Sequence, residues 1–433
     1  MYNLDFENIL SVIKKTKSLS ITGKVTKVVG LTIEVEGLKA FVGEVCIITT
    51  ITDKKIQAEV VGFKNGLAIL MPFENTFGIA PGSEVISTGK ALTVKVSDNL
   101  LGKVLNALGN NMIGEDIIGG EEYKLDRDPP NPLLRERIDS IMTTGVRAID
   151  GLLTCGVGQR IGIFAGSGVG KSTLLGMIAK YSDADVNVIA LIGERGREVK
   201  EFIEKDLGEE GLKKSVVVVA TSDQSPIMRL KGAYAATSIA EYFRDKGLNV
   251  MMMMDSVTRF AMAQREIGLT IGEPPATKGY TPSVFAMLPR LMERTGRAQT
   301  GSITAFYTVL VDGDDMNEPI ADATRGILDG HIVFSRRIAA KNHYPAIDVN
   351  ASVSRLMSQI ASKEVKQKAG EIRDLLATYK ESEDLINIGA YQMGANPKVD
   401  KAIEKIDDID NFLKQGVDEY STLDETIEKI ISI

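Results

Sequence analysis

Residues 160–172 read RIGIFAGSGVGKS, and the fold turns on this stretch. Its first half is an apolar run of strand length. Its second half is glycine-rich and closes on Lys171-Ser172, after which TLLGMIAKY carries helical apolar spacing. A glycine-rich turn between a strand and a helix, ending in Lys-Ser, is a P-loop. The glycines let backbone N–H groups converge on phosphate oxygens, and the helix N-terminus adds positive potential. The expected cradle is Gly166, Ser167, Gly168, Val169, Gly170, Lys171, Ser172 and Thr173. Lys171 can reach the β- and γ-phosphates, and Ser172 can offer its hydroxyl to Mg²⁺. Ala165 stands where a first glycine is usual, which a negative φ tolerates. The implied ligands are ATP and Mg²⁺.

On either side of this turn, residues 146–350 alternate apolar runs (VNVIALIG, SVVVVAT, NVMMMMDS, ITAFYTVLV) with helix-length segments. That alternation predicts βαβ units and a mainly parallel sheet with helices on both faces. Strands apolar throughout fit burial from both sides. The run Asn249–Met254 ends in Asp255, a Walker B pattern whose carboxylate would hold Mg²⁺. Its methionines read as core filling. Gly193-Glu194-Arg195-Gly196-Arg197-Glu198 follows VNVIALI, at the strand end where such sheets present active groups. Glu194 there can polarise the attacking water, or the segment is a solvated charged turn. From pattern alone, Tyr344 can stack on adenine or fill the core, and Arg355 can be an arginine finger or a surface charge.

Residues 18–95 change character, with short β-rich runs between Gly and Asp turns. Leu31, Ile33 and Val35 alternate with Thr32, Glu34 and Glu36, a half-buried strand, and the whole stretch predicts a small β-barrel. Residues 96–145 connect it onward, with Arg127-Asp128-Pro129-Pro130-Asn131-Pro132 as linker. Beyond 350 the strand signal fades. Val365, Ile372, Leu375, Leu376 and Tyr379 recur at helical spacing. The expected division is 1–17 an N-terminal helix, 18–95 a β-barrel domain, 96–350 a P-loop ATPase domain with its linker, and 351–433 a helical domain.

The chain has 433 residues, net charge −7, and no basic excess to suggest a dedicated nucleic-acid binder. No run reaches the roughly 18 apolar residues of a membrane span. Residues 1–17 carry acids early and lysines late, the reverse of a secretory leader. Cys46 and Cys155 have no metal or redox spacing, and His331 and His343 read as structural.

The chain resembles the catalytic subunits of rotary ATPases, and more closely the ATPases of flagellar and injectisome (type III) protein export. The resemblance covers nearly the whole length. It rests on TGVRAIDGLLTCGVGQRIGIFAGSGVGKSTLLG, LIGERGREV, MDSVTRFAMAQREIGLTIGEPPATKGYTPSVFAMLPRLMERTG, NHYPAIDVNASVSRLM and DLINIGAYQMGANPKVDKAIE. It implies that Glu194 is the catalytic glutamate and that Arg195 belongs to the same motif. By the same likeness Asp255 is the Walker B carboxylate and Tyr344 the adenine-stacking ring. Arg355 is the finger reaching a neighbour's site.

The resemblance further implies a cytoplasmic homohexamer, associated peripherally with the membrane at the export apparatus. Its partners would be a stator-like regulator on the N-terminal helix, a central stalk protein, an export gate, and chaperone–substrate complexes. The ending FLKQGVDEYSTLDETIEKI points to the flagellar branch. Competing readings are an injectisome ATPase and a proton- or sodium-pumping rotary subunit. Further ones are an RNA translocase, which would need a basic, aromatic N-terminal domain, and an inactive nucleotide-binding subunit, against which Glu194 argues.

Overall fold

A computed structural model describes residues 22–115, 118–311, 313 and 315–433. The helix expected at 1–17 lies outside the described residues. Among the described residues two compact units emerge, one holding residues 22–92 together with Leu269–Glu273, the other holding the rest.

The first unit is a closed antiparallel barrel. Its strands are β1 (Thr22–Val29), β2 (Thr32–Glu36), β3 (Glu44–Thr49), β4 (Lys55–Lys64), β5 (Leu67–Pro72) and β6 (Glu84–Ala91), in the order β1-β2-β5-β4-β3-β6. Val25, Ile33, Val35, Ile48, Val60, Leu70 and Val85 fill its interior. Asn65 and Gly66, both with positive φ, form the two-residue turn between β4 and β5, the conformation that suits the right-handed twist of a hairpin. The alternation expected over 31–36 holds at Ile33 and Val35 but not at its start. Leu31 is exposed and Thr32 is buried. Gly30-Leu31 is the turn out of β1, and the Thr32 hydroxyl is satisfied by the Val29 carbonyl at 3.1 Å.

The second unit is built on a large sheet. Its strands are β7 (Val104–Asn106), β8 (Arg160–Ala165), β9 (Val186–Ile192), β10 (Ser215–Ala220), β11 (Asn249–Asp255), β12 (Ser302–Leu310), β13 (Gly330–Phe334) and β14 (Ile347–Ser354). The order is β14-β13-β8-β12-β11-β9-β10-β7, with Gly296–Arg297 adding a short antiparallel pairing on β12. All pairings along that path are parallel except β13 with β14. Every residue of β9 and β10 is buried, as a sheet covered on both faces requires. Met251 to Met254 are 0% exposed, so the methionine run is core. Cys46 and Cys155 are buried free thiols, and burial pushes Cys46 up to about 12, which makes it inert.

Three helices, Lys363–Asn387, Pro397–Leu413 and Leu423–Ser432, end the chain. Their apolar faces join the core beneath the sheet. Ile372, Ile409, Phe412 and Ile430 belong to one hydrophobic cluster with Ile149, Ile163 and Leu175. Gly151 permits the close approach, since a methyl group there would fall 2.9 Å from the Phe412 ring. Among the described residues no helix is long and apolar enough to cross a membrane.

Candidate nucleotide site

Three strand ends assemble the site. β8 runs into the P-loop, β9 into Gly193-Glu194, and β11 ends on Asp255. β9 and β11 are neighbours with Leu191 opposite Asp255, so both carboxylates leave the same edge of the sheet. That edge is the C-terminal one, where α/β sheets place ligands.

Gly168 and Gly170 have φ of 78° and 94°, values that a side chain would strain, and Gly170 caps the helix Lys171–Tyr181. The first N–H groups of such a helix have no carbonyl inside it to bond, which leaves Lys171, Ser172 and Thr173 as backbone donors. Gly166 has a different reason to be glycine. A methyl group there would stand 2.6 Å from the Arg336 guanidinium, which lies over the loop.

Lys171 Nζ donates to Asp255 Oδ1 at 2.5 Å and lies 3.9 Å from Glu194 Oε1. Thr308, on β12, donates its hydroxyl to the same Asp255 oxygen at 2.7 Å. Asp255 is 3% exposed, so its charge is compensated by the lysine and the hydroxyl rather than by water. Burial, and after it the Asp255 carboxylate, push Glu194 up to about 7 against the opposing charge of Lys171. A carboxyl group poised there can exchange a proton at neutral pH. The Gly193 turn aims it. Gly193 N–H donates to the Ala220 carbonyl at 2.6 Å, and the Glu194 carbonyl accepts from Ser222 at 2.9 Å.

Tyr344 stands on another side of the loop. A methyl group on Gly170 would lie 3.5 Å from its ring, and the residue is 43% exposed, so the ring lies beside the loop and partly in solvent. Arg195 and Arg355 lie apart from this cluster. Arg195 is exposed and pairs with Glu198 at 3.4 Å. Arg355 is exposed, with its N–H on the Asp329 carbonyl at 3.1 Å and Nη2 on the Arg325 carbonyl at 3.3 Å. The Thr173 side chain hydrogen-bonds to Asp206, which turns its hydroxyl to a partner outside the P-loop.

Among the described residues no cluster of three metal-ligating side chains exists. A phosphate-bound Mg²⁺ needs only one or two protein oxygens, and the Ser172 hydroxyl with the Asp255 carboxylate is that kind of donor set. Sequence reasoning missed Thr308, Arg336 and Asp206. Thr308 had a signal, a polar residue inside an apolar strand. The other two had none, because sheet order and chain crossings bring them in.

Known proteins resemble this chain along nearly its whole length. The nucleotide-binding domain model of the ATP synthase alpha/beta family matches residues 145–354 and its β-barrel domain model residues 25–89. The C-terminal domain model of the type III secretion ATPase EscN matches residues 361–432. A flagellum-specific ATP synthase of Bacillus subtilis is 58% identical over 99% of this chain and 98% of its own. The assembled ATPase EscN of enteropathogenic E. coli superposes with a TM-score of 0.90 at 48% identity, over 95% of this chain and 99% of that one. The same ATPase in complex with its central stalk EscO gives a TM-score of 0.88 at 47% identity, with the same coverage.

Proposed function

This chain belongs to the ATP synthase alpha/beta family, in its flagellar and type III secretion branch, and from that premise we propose that it hydrolyses Mg²⁺-bound ATP to drive protein export by the flagellar apparatus. The observation that carries the catalytic part is the Lys171–Asp255–Glu194 cluster at one sheet edge beside the P-loop. Backbone N–H groups from Gly168 to Thr173 bind the phosphates. Lys171 moves from Asp255 to the β- and γ-phosphates, which frees the carboxylate. Ser172 and Asp255 would hold Mg²⁺, which would supply charge neutralisation on the transferring group. Glu194 orients the water and accepts its proton as the γ-phosphoryl group passes to the water oxygen and ADP leaves. Tyr344 stacks on adenine. Arg195 belongs to the Glu194 motif and must leave Glu198 to serve it.

Arg355 supplies the positive charge at a neighbouring subunit's site, so the working form is a homohexamer. EscN, solved in an assembled form with its stalk EscO, supports a ring with a central stalk partner here. The remaining assignments follow from the branch. They are a regulator on residues 1–17, chaperone–substrate complexes on residues 351–433, an export gate, and a cytoplasmic site at the inner membrane face. The higher identity to the flagellar relative than to EscN favours flagellar use over an injectisome. The C-terminal domain match favours export over ion pumping.

The test is the ATPase rate per subunit against protein concentration with Mg²⁺. The expected result is a steep rise with concentration in the wild type and a flat, near-zero line for Glu194→Gln. A rate per subunit that does not change on dilution would overturn the ring, and wild-type turnover by Glu194→Gln would overturn the catalytic assignment.

A further inference from the structure

Gln415 lies where the C-terminal helices, the turn before the Arg147–Leu152 helix and the Tyr344 loop meet, and it is 5% exposed. Its backbone N–H donates to the Tyr344 carbonyl at 2.9 Å. Its Oε1 accepts from the Arg147 N–H at 2.8 Å, and Nε2 donates to the carbonyls of Gly145 at 2.8 Å and Glu419 at 2.7 Å. A buried amide with its donors and acceptor all engaged rigidifies the segments it joins. Arg147, 4% exposed, closes the same junction. Its Nε donates to the Phe412 carbonyl at 2.9 Å, and its Nη atoms reach Glu419 and the Lys414 carbonyl.

The segment continues to the far end of the P-loop helix. Tyr181, the last residue of that helix, donates its hydroxyl to the Val417 carbonyl at 3.0 Å, and its ring centre lies 5.5 Å from that of Tyr420. Residues 412–420 are therefore tied to Tyr344 on one side and to the helix that begins at Lys171 on the other.

We infer that Gln415 is a positioning residue for the base of the bound nucleotide: by clasping the Tyr344 loop it sets affinity for the adenine end of ATP and leaves phosphate binding alone. This rests on Tyr344 being the stacking residue. The contact to Tyr344 is made by the Gln415 backbone, whose place the side-chain hydrogen bonds fix. Truncating the side chain leaves the Arg147 N–H and the Gly145 carbonyl without their partners and lets the loop drift. Phosphate binding depends instead on the P-loop backbone and Lys171, which the clasp does not touch.

The chain contains no tryptophan, so Tyr344→Trp installs a single fluorescent reporter at the stacking position. In the full chain, ADP binding is read as quenching of that reporter, and inorganic tripolyphosphate binding as displacement of ADP. Adding Gln415→Ala should weaken ADP roughly tenfold while tripolyphosphate changes by less than about twofold. In the Tyr344 background, KM for ATP should rise by the same factor with kcat held. Gln415→Met, which keeps the side-chain length but loses its hydrogen bonds, should weaken ADP in the same sense, and it carries the test if the alanine variant does not fold. Unchanged ADP affinity, or equal weakening of ADP and tripolyphosphate, would overturn the clasp. A reporter that ADP does not quench would instead overturn the stacking role of Tyr344, and the clasp with it.

Discussion

Lys171 and Arg355, two cations on which the proposed chemistry depends, are held in opposite ways. Lys171 is nearly enclosed, with a side chain 12% exposed, 2.5 Å from one carboxylate and 3.9 Å from another. Arg355 is exposed, and its guanidinium donates to the Arg325 carbonyl at 3.3 Å. The first arrangement is complete within one chain. Buried charges there compensate one another, and removal of either partner leaves an unpaired charge that is costly in a low-dielectric site. The second keeps a guanidinium at the surface with its charge available to a partner. Under the proposed mechanism, one chain builds a binding site and displays a cation that acts at another chain's site.

Three measurements would break or sharpen that contrast. The largest effect should come from Arg355→Ala, which is expected to lower kcat by roughly 10³–10⁵-fold while nucleotide affinity and thermal stability stay near wild type. A large drop in stability would make Arg355 a structural residue.

Next is the pH dependence of Glu194. Its carboxyl sits at about 7, above the ordinary carboxylate range, so it is largely protonated below neutrality and ionised above. Catalysis needs the ionised form. The kcat/KM profile should therefore rise with pH through about 7, and Glu194→Gln should abolish the step along with roughly 10²–10⁴-fold in rate. Folding stability runs the other way. The native state binds this proton more tightly than the unfolded chain, so stability declines as pH climbs from the ordinary carboxylate range to about 7. A rate profile flat across neutrality would contradict the assignment.

The smallest effect is expected from Thr308→Val, which removes the hydroxyl from Asp255 while keeping side-chain shape. Apparent Mg²⁺ affinity should weaken about tenfold, measured as the Mg²⁺ concentration at half-maximal rate. No change would mean that Lys171 alone orients Asp255.

What was legible in the sequence follows the range of the interactions. The P-loop is local: its glycines, lysine and flanking strand and helix lie within one short stretch, and the turn forms as read. Glu194 and Asp255 were visible as polar groups closing apolar strands. Their convergence on Lys171 was not, because it depends on β11 and β9 standing next to each other, two and three strands from β8. Leu31 was misread for a related reason, since alternation alone does not say where a turn ends and a strand starts. Thr173 meets Asp206 33 positions on, Arg336 lies over Gly166 170 positions back, and Gln415 meets Tyr344 71 positions back, and no periodicity encodes such meetings. The barrel was legible as a class from its short strands and turns, but not its order, since β2 with β5, β3 with β6 and β1 with β6 pair across distant segments.

The central claim is that the site is built by one chain and completed by the Arg355 of the next. It is tested most directly by mixing two variants, Glu194→Gln, which keeps the finger, and Arg355→Ala, which keeps the glutamate. Each alone should be nearly inactive. Co-assembled in equal amounts, they should place an intact finger against an intact glutamate at about one interface in four, with a corresponding recovery of ATPase activity. If the mixture is as silent as its components, the finger does not act between chains.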